Sequence, residues 1–145
     1  MSDEVLTAFD ALFELTTRLG ESMRADLGAH GLNPARAEVL LVLHRRGPVV
    51  QRELSQILRV TPRHVTGLVD TLAEQGWVAR TPHPSDRRAV LVGLTDAGTA
   101  QATEMHRRRA EAARAWLGDV DPADLTTFRT VLGQVLDRLG SSGER

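Results

Sequence analysis

Hydrophobic positions along this chain change period several times, and each change marks an element. From residue 3 to about 27, Val5, Phe9, Leu12, Phe13, Thr16 and Leu19 recur three and four apart, the spacing of one helix face. The stretch HGLNP interrupts that pattern, and Asn33 followed by Pro34 suits a helix cap and first helical position. A helix from 34 to about 45 carries VLLVLH, which predicts burial nearly all round, until RGP ends it. A short helix over 51–58 places Leu54, Ile57 and Leu58 on one face, and RVTP breaks it. Thr61 then caps a helix opening at Pro62, with Val65, Leu68, Val69 and Leu72 as its inner stripe and Gly76 as a left-handed stop.

After Gly76 the period becomes two. WVART and AVLVGLT read as paired strands joined by the loop PHPSDRR, stiffened by Pro82 and Pro84 around His83. Two long helices complete the chain. One starts at Thr95 and is Ala-rich to about Trp116; the other starts at DPAD, with Asp121 as cap and Asp124 in the first turn. Leu125, Phe128, Leu132, Val135 and Leu139 give that last helix a sustained apolar seam. The expected fold is mainly α with a small two-stranded antiparallel wing (α+β), a single domain over 1–145. A winged helix-turn-helix would occupy 34–94. The helices at 3–30 and 95–140 carry apolar stripes outside a core that the winged part can close alone, so a second copy of the chain is their expected cover.

Composition narrows the function. The 145 residues are 41% apolar and 26% charged, as in an ordinary soluble globular protein. No apolar run approaches membrane-spanning length, and the acidic start MSDEVLTAFD has no signal-peptide profile, which points to the cytoplasm. Without cysteine there is no thiol redox switch, thiol nucleophile or thiolate metal site. The five histidines follow no metal-ligand spacing, and no Ser-His-Asp or His-Glu arrangement occurs. No catalytic residue, metal or cofactor is therefore expected, and the chain reads as a binding protein rather than an enzyme. Met23 and Met105 are expected as core filler.

The net charge of −1 conceals an asymmetry. Residues 45–94 hold eight arginines against four acids, a net of +4, inside a frame with a net of −5. A basic segment of this kind suits a polyanion, and the element order identifies which one. In a helix-turn-helix the second helix enters the major groove of double-stranded DNA, and its N-terminal residues meet base edges. With Val65, Leu68 and Leu72 inward, Arg63, Gly67, Asp70 and Glu74 face outward, flanked by His64 and Thr66. The expected readers are Arg63, His64 and Thr66, with Thr61 and Pro62 at the cap. Gly67 costs about 1 kcal/mol against Ala inside a helix, which makes sense on a face that something must approach closely. Gln51, Ser55 and Thr61 are expected to set register on phosphates. At the hairpin tip, one of Arg87 and Arg88 would enter the minor groove while Asp86 holds the other guanidinium to fix the loop. The arginines at 107–109 read as a solvated helix face.

From about residue 34 to 98 the chain resembles the MarR (multiple antibiotic resistance regulator) family of winged-helix repressors. The resemblance is carried by QRELSQILRVTPRHVTGLVDTLAEQGWVAR, by DRR at 86–88, and by LVGLTDAG, in which Asp86, Arg88, Leu94, Thr95 and Gly98 match the family's spacing. It implies a triangular homodimer that represses transcription from a pseudopalindromic operator, with half-sites roughly 34–36 Å apart. It also implies a small aromatic or phenolic effector where the dimer helices meet the winged part; by that analogy Phe13, Leu41, His44 and Met105 would line the pocket. Gly67 departs from the family, in which many members carry a basic residue there. The alternatives are a winged module used for protein–protein contact, or an activator or dual regulator of the same fold.

Overall fold

The structure is a computed structural model and describes residues 3–142. The chain divides into two compact units, one running up to Thr103 and the other starting at Glu104. The first contains α1 (Asp3–Ala29), α2 (Pro34–Arg46), β1 (Val49–Val50), α3 (Gln51–Leu58), α4 (Pro62–Glu74), β2 (Val78–Pro82), β3 (Val90–Leu94) and the start of α5 (Asp96–Leu117). The second holds the remainder of α5 and α6 (Pro122–Ser142).

The helices form where the sequence punctuates them. The Asn33 side chain accepts from the Arg36 N–H at 2.9 Å, and Thr61 Oγ1 accepts from the His64 N–H at 3.1 Å. Asp121 Oδ1 accepts from the Ala123 N–H at 2.8 Å. Each satisfies a donor that the first helical turn leaves open. Gly76 (φ 79°) closes α4, letting the Trp77 N–H return to the Leu72 carbonyl at 3.0 Å.

The sheet has three strands rather than two, in the order β1-β3-β2. The hairpin pairs Val78 with Leu94 through Pro82 with Val90, and β1 adds Val49 opposite Val92 and Val50 opposite Leu91. Two residues carry no period, so β1 is invisible to a pattern reading. It follows Gly47 (φ 77°) and Pro48 and runs straight into α3, which has no side-chain cap. Its effect is to tie the start of α3 to the wing.

The core of this unit lies between α2, α3, α4 and the sheet. Val39, Leu40, Val42 and Leu43 of α2 meet Leu54 of α3, with Val65, Val69 and Leu72 of α4 and Val92 of β3 also fully buried. At about 1.5–3 kcal/mol per buried aliphatic side chain, this cluster is what fixes the phase of α4. By contrast α1, which packs on α2, buries only Leu27 among its described residues. Its apolar stripe faces solvent, with Phe9 61% and Phe13 66% exposed. Met23 lies on this exposed helix and is not core filler, whereas Met105 is buried. In the second unit α6 exposes Phe128, Val131, Leu136 and Leu139. Among the described residues, no helix is long and apolar enough to cross a membrane.

Candidate nucleic-acid interface

The break between α3 and α4 is three residues long. Arg59 adopts a left-handed conformation (φ 54°, ψ 44°), and the Val60 N–H bonds back to the Ser55 carbonyl at 3.1 Å. A residue with a Cβ pays about 1–2 kcal/mol for that conformation, and a tight turn between the two helices is what it achieves. Thr61 and Pro62 then start α4. Val65, Leu68, Val69 and Leu72 are buried beneath it, while Arg63, His64, Thr66, Gly67 and Asp70 are exposed. Among the described residues the Arg63 guanidinium and the His64 ring have no hydrogen bond or ion pair. A Cβ added at Gly67 would meet nothing within 4 Å, so no packing contact within the chain requires this glycine.

Two of the expected contacts are held within the protein. Arg80 of β2, an arginine that sequence reasoning left without a role, reaches across the face of α4. Its Nη2 donates to Asp70 Oδ1 at 2.6 Å and its Nε donates to Gln51 Oε1 at 2.9 Å. Gln51 Nε2 donates in turn to Thr66 Oγ1 at 3.2 Å, and Thr66 Oγ1 donates to the Pro62 carbonyl at 2.9 Å. Asp70 is therefore a paired acid rather than a bare charge on the outward face. Ser55 departs further from expectation. It is buried, and its hydroxyl donates to the Arg52 carbonyl at 2.6 Å, which removes it from any phosphate. It falls on the inner side of α3 beside Leu54, where a two-turn helix leaves little phase information.

At the hairpin tip Asp86 acts on the backbone. Its Oδ1 accepts from the Arg88 N–H at 3.0 Å, and no ion pair joins it to Arg87 or Arg88 among the described residues. This corrects the expected guanidinium clamp, since a short Asx-type turn satisfies the carboxylate locally before an arginine can fold back. Both guanidinium groups stay unpaired and exposed. His83 also organises the tip, unforeseen from sequence because the imidazole plays the part usually taken by a short polar side chain. Its Nδ1 faces the Ser85 and Asp86 N–H groups, each at 3.1 Å, so Nδ1 is an acceptor and the proton of the neutral ring sits on Nε2. His83→Ala is expected to loosen the tip and lower DNA affinity about fivefold, on the scale of about 1 kcal/mol for a lost cap. His83→Asn, which keeps a short acceptor, should recover most of it. Hydrogen exchange of the Ser85 and Asp86 amides measures the loosening directly.

The other sequence candidates lie elsewhere. Arg107 donates to Glu104 and Glu111 along α5, and these hydrogen bonds and charges push its pKa further up. Arginine is charged throughout in any case. Arg107 is exposed and paired along α5, Arg108 is half-buried beside Glu104 at 3.7 Å, and Arg109 is exposed, so the run is a solvated face only in part. Of the positions placed by analogy at an effector pocket, Phe13 and His44 are exposed, Leu41 is half-buried and Met105 is buried.

Comparison with known proteins agrees with this geometry. Residues 32–90 match the model of the MarR family. The chain is 31% identical over 115 residues to the HTH-type transcriptional repressor MdtR of Bacillus subtilis, covering 79% of this chain and 72% of that one. It is 27% identical over 139 residues to the repressor YetL of the same organism, covering 92% and 81%. Among solved structures, a mutant MarR from E. coli complexed with operator DNA superposes with a TM-score of 0.72 at 24% identity, covering 92% and 96%.

Proposed function

Because the chain belongs to the MarR family and is therefore a transcriptional regulator of helix-turn-helix type, we propose that it binds operator DNA as a homodimer and represses transcription. The observation that carries this reading is a set of cations with no partner inside the protein. Arg63 at the first turn of α4 and Arg87 and Arg88 at the hairpin tip are exposed and unpaired among the described residues. An unpaired arginine gains little for the fold, whereas on DNA each releases counterions or meets a base edge. Arg63, His64 and Thr66 then lie toward the major groove, Thr61 and Gln51 toward phosphates, and Arg87 or Arg88 in the minor groove. The exposed apolar stripes of α1 and α6 support the dimer, since each would be covered by a second copy. The protein would work where the DNA is, in the cytoplasm, and by binding rather than catalysis. A small aromatic or phenolic effector belongs to the same reading; titrating phenolic acids into the DNA complex would test it by release.

The decisive experiment is binding to duplexes drawn from a randomised pool, followed across salt. The expected outcome is enrichment of an inverted repeat with half-sites about 10–10.5 base pairs apart. Affinity should fall about 10³–10⁵-fold between 50 and 200 mM salt if six to ten phosphates are engaged. Enrichment of no sequence, with salt-insensitive binding, would exclude the proposal and favour a protein-binding module.

A further inference from the structure

The contacts of Arg80 restrict what α3 and α4 can say to a base pair. A guanidinium has only donors, so the sole Gln51 atom able to face Arg80 Nε is the amide carbonyl, Oε1, at 2.9 Å. That settles the orientation of the amide: Nε2 must point to Thr66 Oγ1, at 3.2 Å. Thr66 Oγ1 therefore accepts, and its own proton goes to the Pro62 carbonyl at 2.9 Å. Asp70 anchors the other end of Arg80 at 2.6 Å. One side chain from β2 thus sets, in sequence, the donor and acceptor roles of a residue on α3 and a residue on α4.

We infer that Arg80 is a positioning residue that fixes the hydrogen-bond polarity of the reading surface, holding the Gln51 amide in one orientation with its carbonyl turned to Arg80 and leaving Thr66 with no hydroxyl proton for DNA. This rests on the DNA-reading function proposed above. Glutamine reads adenine by using its carbonyl and its amide together on N6 and N7. With Oε1 shared with Arg80 and one Nε2 hydrogen given to Thr66, Gln51 offers its other N–H from a fixed amide orientation, which suits a phosphate oxygen. Thr66 presents its methyl group and a lone pair, which suit a thymine methyl or a cytosine amino group but not a purine acceptor. The pairing also removes a difficulty, because Asp70 would otherwise turn an uncompensated negative charge toward the phosphates.

The test uses the duplex that the wild-type protein enriches from a randomised pool, its single-base variants, and two substitutions. Arg80→Met keeps the aliphatic stem and removes the donors. It is expected to bind the selected duplex about tenfold more weakly and to enrich an altered motif on reselection, because the freed amide can turn its carbonyl outward. Its slope of log affinity against log salt should match that of the wild type, since the Arg80 guanidinium is turned to Asp70 and Gln51. Gln51→Met leaves the Arg80–Asp70 pair in place. It is expected to weaken binding to every duplex by a similar factor, with the motif unchanged. An unchanged motif and affinity in Arg80→Met overturns the inference, as does a salt slope lower by about one, the signature of a lost phosphate contact. Loss of discrimination at one A·T position in Gln51→Met overturns it equally, and that variant decides the matter if circular dichroism shows Arg80→Met unfolded. A wild-type protein that enriches nothing overturns the DNA-reading function, and this inference with it; the other adverse outcomes overturn the inference alone.

Discussion

Gly98→Ala is expected to destabilise the protein by about 3 kcal/mol or more, lowering the melting temperature by roughly 10 °C. A Cβ at this position would lie 1.8 Å from the Trp77 carbonyl oxygen and 2.8 Å from its carbon, both backbone atoms with no rotamer to yield. The approach is that close because two hydrogen bonds draw the start of α5 onto the end of α4. The Thr95 N–H donates to the Trp77 carbonyl at 3.1 Å, and Thr95 Oγ1 donates to the Gly76 carbonyl at 2.6 Å. Thr95 Oγ1 also accepts from the Gly98 N–H at 3.0 Å, capping α5. Adding one methyl group must break this junction or move α5 away from it. Gly67→Ala is the matched control. Its Cβ meets nothing, and alanine should raise helix stability by up to about 1 kcal/mol. Thermal melts followed by circular dichroism would separate the two variants, and equal melting temperatures would refute the steric account.

Arg63→Ala should act on binding and not on folding. Arg63 is the second residue of α4, where the helix dipole presents its positive end, so a cation there is unfavourable by about 0.3–1 kcal/mol in the free protein. No acid compensates it among the described residues. Removal is therefore expected to leave the melting temperature unchanged or slightly raised. Affinity for the selected operator should fall by about 1–3 kcal/mol, or roughly 5–150-fold, with relaxed preference at one base pair. The opposite signs distinguish a reading residue from a structural one. Measuring the operator, single-base variants and random DNA in parallel decides between roles. A uniform loss with a lower salt slope would make Arg63 a phosphate contact, and no loss at all would remove it from the interface.

Much of this was legible in the sequence because it is local. The phase of α4 follows from Val65, Leu68, Val69 and Leu72, and the caps at Asn33, Thr61 and Asp121 involve residues two or three positions apart. The spacing of Thr95 and Gly98 is legible only through the family resemblance, since its cause, the Trp77 carbonyl, is distant in sequence. What escaped reading depends on tertiary placement. Arg80 is ten residues from Asp70 and twenty-nine from Gln51, and no period or propensity links them. Ser55 and β1 lie in elements too short to carry a phase. The charge pattern around Asp86 names signs and not geometry, and a backbone N–H two residues away is nearer than any guanidinium.

Gly67 has a consequence for how this regulator could change its target. The position sits on the outward face of α4, and the surrounding protein places no atom where a side chain would start. Most substitutions there should be neutral or favourable for folding, since nearly every residue has a higher helix propensity than glycine. If α4 reads DNA as proposed, selection acting on such a site would sense the fit to DNA rather than the fold. Position 67 is thus where a duplicated copy could acquire a new operator in single steps without passing through an unstable intermediate, and where a laboratory search for altered specificity should begin.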